Sequence, residues 1–168
     1  TPTSLTVGIG KAAQNGVLIR SGDALQTAMK LDAIVLDKTG TITLGKPSLT
    51  DVVAGELAEN EVLRLAAAVD RASEHPLAEA IVNGAKTRQI DIPDAEAFQA
   101  VPGHGSQATV EGQLVLVGNL KFMTDRSVPT GNLEATAETL ATDGKTPMFV
   151  AVDGRPAGAI LLDDPIRP

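Results

Sequence analysis

The chain has 168 residues, a formal net charge of −7 and an isoelectric point near 4.7, which argues against a surface that clamps a nucleic-acid backbone. Three Phe and no Trp or Tyr leave no stacking platform for bases, so the core must be built from Leu, Ile, Val and Ala. There is no Cys for a disulfide or a thiolate metal site, and no stretch nears the roughly 18 apolar residues of a membrane-spanning helix.

The length suits one ordinary domain, or one small domain with pieces of another. The chain begins at Thr1 rather than Met and stops at Pro168 just after an apolar run, which reads as a fragment. Thr1-Pro2-Thr3 is a helix start, although the residues alone also allow a disordered tail. Ala33-Ile34-Val35-Leu36 reads as a short buried strand ending at Asp37. A carboxylate at the tip of a parallel strand lies where open α/β sheets place ligands. Gly40 permits a tight turn, and Thr39, Thr41 and Thr43 offer hydroxyl and N–H groups to an anion. Asp37 is therefore a candidate nucleophile for phosphoryl transfer, with a turn cap as the competing role.

Gly45-Lys46-Pro47 marks a domain boundary. Ser48 to Ala54 alternates as a strand, and Val62, Leu65, Ala66 and Val69 place an amphipathic helix over Glu59 to Ala72. Pro76 fits the first turn of a further helix, with His75 at its entrance and Ser73 or Glu74 available as a cap. The only other His is His104, so no metal-ligand spacing is present. Gly103-His104-Gly105 separates two strand-like runs and lacks the third Gly of a dinucleotide fingerprint.

Ala108 to Val110 and Leu114 to Val117 form a hairpin through Glu111-Gly112-Gln113; Gly118-Asn119 is then a turn, and a helix runs to Asp125. Asn132 to Thr142 is a helix ended by Asp143 to Pro147, and Gly144-Lys145-Thr146 lacks the earlier glycine of a P-loop. Met148 to Val152 and Ala159 to Leu162 pair through Asp153-Gly154, and Asp163-Asp164-Pro165 ends the second strand.

Several of these strings act together. Asp37-Lys38-Thr39-Gly40-Thr41-Ile42-Thr43 resembles the phosphorylation motif of P-type ATPases, which makes Asp37 the residue that accepts the γ-phosphoryl group of ATP. Related haloacid-dehalogenase-like phosphatases usually carry a second Asp where this chain has Thr39. Without that acid/base the covalent intermediate should persist, which suits a pump rather than a phosphatase. Ser73-Glu74-His75-Pro76-Leu77 resembles the nucleotide signature of the heavy-metal branch, in which Glu74 would accept from the exocyclic amine of adenine and His75 would stack on or bond to the ring. The same resemblance sets Gly103 and Gly105 against the nucleotide, makes Gly118 and Asn119 the last part of its pocket, and matches Asp164-Pro165-Ile166-Arg167 to the hinge between nucleotide and phosphorylation domains.

The resemblance implies an α/β fold: an antiparallel sheet flanked by helices, the nucleotide-binding domain, inserted into an incomplete haloacid-dehalogenase-like phosphorylation domain. Residues 1–30 would be the end of a membrane helix and a linker, with Gly16 to Arg20 a short strand and Asp23 to Met29 a helical turn or two. Residues 31–47 would open the phosphorylation domain, 48–158 form the nucleotide domain, and 159–168 return. The implied cofactors are ATP and Mg²⁺, with Asp37, Lys38 and Thr39 catalytic, Asp37 and Thr39 at the metal, and Arg167 added to the nucleotide residues.

The implied partners are the remaining membrane, actuator and phosphorylation domains of one pump on the cytoplasmic side of a membrane. Copper is the expected cargo, though no transport-site residue lies in these 168 residues. Nor do the later magnesium motif and phosphate-binding lysine, so the segment alone should bind nucleotide weakly and turn over little. A phosphatase and a non-catalytic nucleotide-binding module are the alternatives.

Overall fold

The computed structural model describes residues 3–141 and 144–167. Thr1 and Pro2 of the expected first helix start, Thr142 and Asp143 of the expected helix end, and Pro168 lie outside the described residues. The chain divides into two compact units, residues 1–36 and 37–168.

In the first unit, α1 spans Thr3–Gln14 and α2 spans Gly22–Ala28. α1 ends in a Schellman closure: Val17 N–H donates to Ala12 O at 2.9 Å and Gly16 N–H to Ala13 O at 3.0 Å. Gly16 supplies the left-handed residue at φ +80° that this closure requires. Ser21 Oγ caps α2 by accepting Ala24 N–H at 3.2 Å.

Two strand expectations fail here. Residues 16–20 and 33–36 form no strand, and Ile34, Val35 and Leu36 are exposed. A strand is completed by ladder hydrogen bonds from a neighbour, and among the described residues none pairs with either segment. The apolar run at 33–36 has strand composition without a sheet to enter.

The second unit is organised by one six-stranded antiparallel sheet in the order β1-β6-β5-β4-β3-β2. Its strands are β1 Ser48–Ala54, β2 Ala95–Val101, β3 Gly105–Val110, β4 Gln113–Gly118, β5 Thr146–Val152 and β6 Arg155–Asp163. Helices α3 (Glu59–Asp70) and α4 (Pro76–Thr87) cover one face, and α5 (Leu120–Asp125) and α6 (Asn132–Ala141) cover the other. Both faces being covered explains the unbroken apolar run of β4: Val115 and Val117 enter the α3/α4 core, and Leu116 enters the α5/α6 core.

The tight turns follow from their sequences. Glu111-Gly112 (φ +50°, +81°) and Asp153-Gly154 (φ +47°, +78°) both take the two positive φ values of a hairpin turn whose twist matches its strands. β6 consequently starts at Arg155, four residues before the expected Ala159, and runs without a break to Asp163.

Candidate active site: the Asp37 loop and the glycine-rich edge

Asp37 precedes a turn over Lys38–Ile42 that is closed by Thr43 N–H donating to Lys38 O at 3.0 Å. Inside it Thr39 keeps an extended ψ of 118°, and Gly40 reverses the chain at φ +77°. Asp37, Lys38 and Thr39 are all exposed, and the Asp37 carboxylate makes no hydrogen bond that caps the turn. Of the two roles its residue type allowed, the structure leaves it unused as a cap and open to an incoming group.

The loop is held in place by residues more than a hundred positions away. Thr43 is 3 % exposed, and its hydroxyl lies 2.5 Å from Asp164 Oδ2 while accepting Gly40 N–H at 3.2 Å. Lys38 O also lies 3.1 Å from that oxygen, but a hydroxyl has one proton, and the carboxylate is the stronger acceptor. Asp164 Oδ1 accepts Lys46 N–H at 2.9 Å. Arg167 donates from Nε to Thr43 O at 3.0 Å and from NH2 to Gly40 O at 2.9 Å, and its N–H donates to Ile42 O at 2.9 Å. The hinge residues therefore grip the backbone of the Asp37 loop, and the guanidinium of Arg167 is engaged there.

Two of the other motif elements meet where β3 begins and β4 ends. Gly105 and Gly118 are register partners on β3 and β4. A Cβ on Gly105 would lie 2.2 Å from Val117 O, and one on Gly118 would lie 2.7 Å from His104 O and 2.5 Å from the Phe122 ring. Neither position has room for any other residue. Asn119 fastens the Gly103-x-Gly105 loop with Nδ2 donating to Gly103 O at 3.0 Å and N–H donating to His104 O at 2.9 Å. Its Oδ1 meanwhile caps α5 by accepting Phe122 N–H at 2.9 Å.

His75 is the N-cap of α4: its Nδ1 accepts Leu77 N–H at 3.2 Å, with Pro76 in the first helical position. Ser73, expected as a possible cap, instead takes His75 N–H on its Oγ at 3.3 Å. Glu74 and His75 are both exposed.

Sequence reasoning missed Asp70 and Ser106, which join these elements. Ser106 Oγ donates to Asp70 Oδ1 at 2.7 Å, linking the end of α3 to the strand that leaves the glycine loop. Burial pushes the Asp70 carboxyl up to about 6, and the Ser106 hydrogen bond partly opposes that rise. The signal was available: four residues after Ala66, Asp70 is an acid on the buried stripe of α3.

The motif residues line neither of two clefts elsewhere in this unit, one of about 400 Å³ beside Glu61 and Arg155 and one of about 340 Å³ beside Asn83 and Arg88. A metal is less well provided for. The Asp37 carboxylate and the Thr39 carbonyl are hard oxygen donors, but Mg²⁺ takes about six. Among the described residues no group of three or more His, Cys, Asp or Glu is placed to hold an ion. These residues do not complete a magnesium site.

The chain is similar to known proteins over nearly its whole length. A sequence model of haloacid dehalogenase-like hydrolases matches residues 31–168. Copper-transporting ATPase 2 of Rhizobium meliloti is 44 % identical over 99 % of this chain, which spans 20 % of that protein. The crystal structure of a zinc-transporting PIB-type ATPase in its E2.Pi state superposes with a TM-score of 0.70 at 35 % identity, covering 97 % of this chain and 26 % of that one. The N-domain of HMA8, a copper-transporting P-type ATPase, superposes with a TM-score of 0.59 at 34 % identity, covering 67 % of this chain and 97 % of that domain.

Proposed function

Since the chain belongs to the haloacid dehalogenase-like hydrolase family and is similar over nearly its whole length to a segment of heavy-metal P-type ATPases, we propose that it is the ATP-binding and aspartyl-phosphorylation segment of such a pump. In this reading residues 48–163 bind nucleotide, five residues beyond the boundary expected at 158 because β6 stays in the same sheet as far as Asp163; 31–47 and 164–168 belong to the phosphorylation domain, and 1–30 lead from a membrane helix. None of the described helices is long and apolar enough to cross a membrane. The remaining domains of the pump are its partners, and the segment works on the cytoplasmic side. Copper is the favoured cargo, on the names of the relatives.

The observation that carries the nucleotide reading is the convergence of Gly103, Gly105, Gly118 and Asn119 where β3 begins and β4 ends. Gly105 and Gly118 let the two strands and the loop pack together, and Gly103, whose missing Cβ would face open space, leaves main chain that a flat ligand can approach closely. Glu74 would take a hydrogen bond from the exocyclic amine of adenine while His75 meets the ring.

In the transfer step, an Asp37 carboxylate oxygen attacks the γ-phosphorus of ATP in line with the leaving oxygen. The bond from that phosphorus to the β,γ-bridging oxygen breaks, ADP leaves with the electron pair, and Asp37 carries an acyl phosphate. Thr39 holds the phosphoryl group and, lacking a carboxylate, cannot activate water against it. Asp164 and Arg167 keep the loop backbone in position for this step, acting through Thr43, Gly40 and Ile42. ATP and Mg²⁺ are the cofactors of this reading, and the Asp37 carboxylate and the Thr39 carbonyl are the hard oxygen donors this segment would offer the ion.

ATP titration of the wild type against His75→Gln tests the pocket. The variant should bind about ten-fold more weakly, as expected for losing a ring contact of ordinary strength. Equal affinity for the two proteins would refute the assignment.

A further inference from the structure

Thr43, Asp70 and Ser106 are buried polar side chains of the described residues, and only Asp70 and Ser106 lie near the glycine edge. Asp70 is 4 % exposed and Ser106 is 6 % exposed. A carboxylate in that position is unfavourable unless it is hydrogen-bonded, whereas an apolar residue would simply extend the stripe of Val62, Ala66 and Val69. Such a pair serves geometry better than stability.

We propose that the Asp70–Ser106 hydrogen bond is a latch that positions the Glu74-His75 turn against the Gly103-x-Gly105 loop, and that nucleotide affinity depends on it. The proposal rests on the nucleotide reading given above.

The connections on either side are short. Ser106 directly follows Gly105, whose backbone is packed on Val117 and Gly118 with no room to shift. Asp70 is the last residue of α3, and its main-chain O accepts Ser73 N–H at 3.0 Å. Ser73 Oγ in turn accepts His75 N–H, and His75 Nδ1 accepts Leu77 N–H. An unbroken series of hydrogen bonds thus runs from Ser106 to the first turn of α4. Arg71 and Asp94 pair on the exposed side of the same turn, leaving the buried side to Asp70 and Ser106.

The electrostatic setting makes the latch separable from the ligand's own contacts. β3 and β4 carry no titratable side chain. The charged and titratable groups on the neighbouring elements are Arg71 beside Asp70, Glu74 and His75 in the turn, Glu79 and Lys86 of α4, Asp51 of β1, Glu96 of β2, and Arg155 and Asp163 of β6; burial raises the Asp70 carboxyl and the Ser106 hydrogen bond opposes that rise. Without the Ser106 hydroxyl, an ionised Asp70 has lost its donor and draws water or opens the turn. A protonated Asp70 carries no charge and tolerates the loss.

The experiment measures ATP affinity for wild type, Ser106→Ala and Ser106→Thr at pH 5 and pH 7.5, with hydrogen exchange of residues 71–77 and 103–106 recorded without nucleotide. At pH 7.5 Ser106→Ala should bind about ten-fold more weakly than wild type, and at pH 5 the ratio should shrink toward one. Each variant is read against wild type at the same pH, so changes common to both proteins divide out of the ratio. Ser106→Thr restores the hydroxyl and should bind as wild type does. A Ser106→Ala ratio near one at both pH values, or one equally large at both, overturns the latch. If the wild type binds no ATP, the nucleotide reading falls and exchange decides the latch: unchanged protection in Ser106→Ala at pH 7.5 overturns it, and faster exchange confined to those two segments supports it.

Discussion

The Asp37 loop and the Gly103-x-Gly105 loop are both short and glycine-containing, yet they are held by opposite means. The second is fixed from within the sheet, by register partners that leave no space for a Cβ and by Asn119 a short way along the chain. The first belongs to no strand except for a single bridge between Thr43 and Ile166, and side chains of Asp164 and Arg167 hold it. A loop set by close packing has one shape. A loop held by a few charged hydrogen bonds from a distant segment can be released when that segment moves.

Substitutions should separate the two cases, and the largest effect belongs to the packed loop. Gly105→Ala drives a methyl into Val117 O and should destabilise by about 3 kcal/mol in denaturant unfolding, since the contacting atoms are backbone and cannot rotate away. A loss below 1 kcal/mol would mean that the β3–β4 pairing adapts more readily than close packing allows.

Asp70→Asn comes next, with the opposite sign. The folded-state pKa is raised, so the protein binds this proton more tightly than the unfolded chain does. Stability from the group is full below its ordinary value of 3.8 and is lost as pH rises to about 6. Removing the charge should therefore stabilise by about 2 kcal/mol at pH 7.5 and by little at pH 4, as read from thermal melts. A gain of the same size at both pH values would show that charge burial is not the cause.

Asp164→Ala should cost about 1–2 kcal/mol and speed hydrogen exchange over residues 38–46, while residues 103–119 keep their protection. Faster exchange in both segments would remove the distinction between the loops. The smallest effect is expected of Asp94→Asn, whose pair with Arg71 is 89 % and 51 % exposed and should be worth under about 0.5 kcal/mol by unfolding.

The sequence was most legible where structure is local. The bounds of β1, the start of α4 at Pro76, the turn at Gly118-Asn119 and the Asp-Gly and Glu-Gly hairpins follow from patterns a few residues long. The grip of Asp164 on Thr43 spans 121 positions, and no periodicity announces it. The run at 33–36 misled for a related reason: Ile34 and Val35 have strand propensity, but a strand also needs a partner, which propensity does not report. Asp70 is readable in principle, as an acid on an apolar helical stripe, but its partner Ser106 lies 36 positions away and no local pattern connects the two.

The cap at His75 has a consequence for what that residue can recognise. A neutral imidazole whose Nδ1 is occupied by Leu77 N–H carries its proton on Nε2. Outward, the ring can give a hydrogen bond and not take one, while the neighbouring Glu74 can take and not give. Side by side they present a donor next to an acceptor, and a ligand edge that alternates in the reverse order fits them without either residue changing its proton. His75→Asn would keep the helix cap and lose this directional edge, so it separates recognition from the folding of α4.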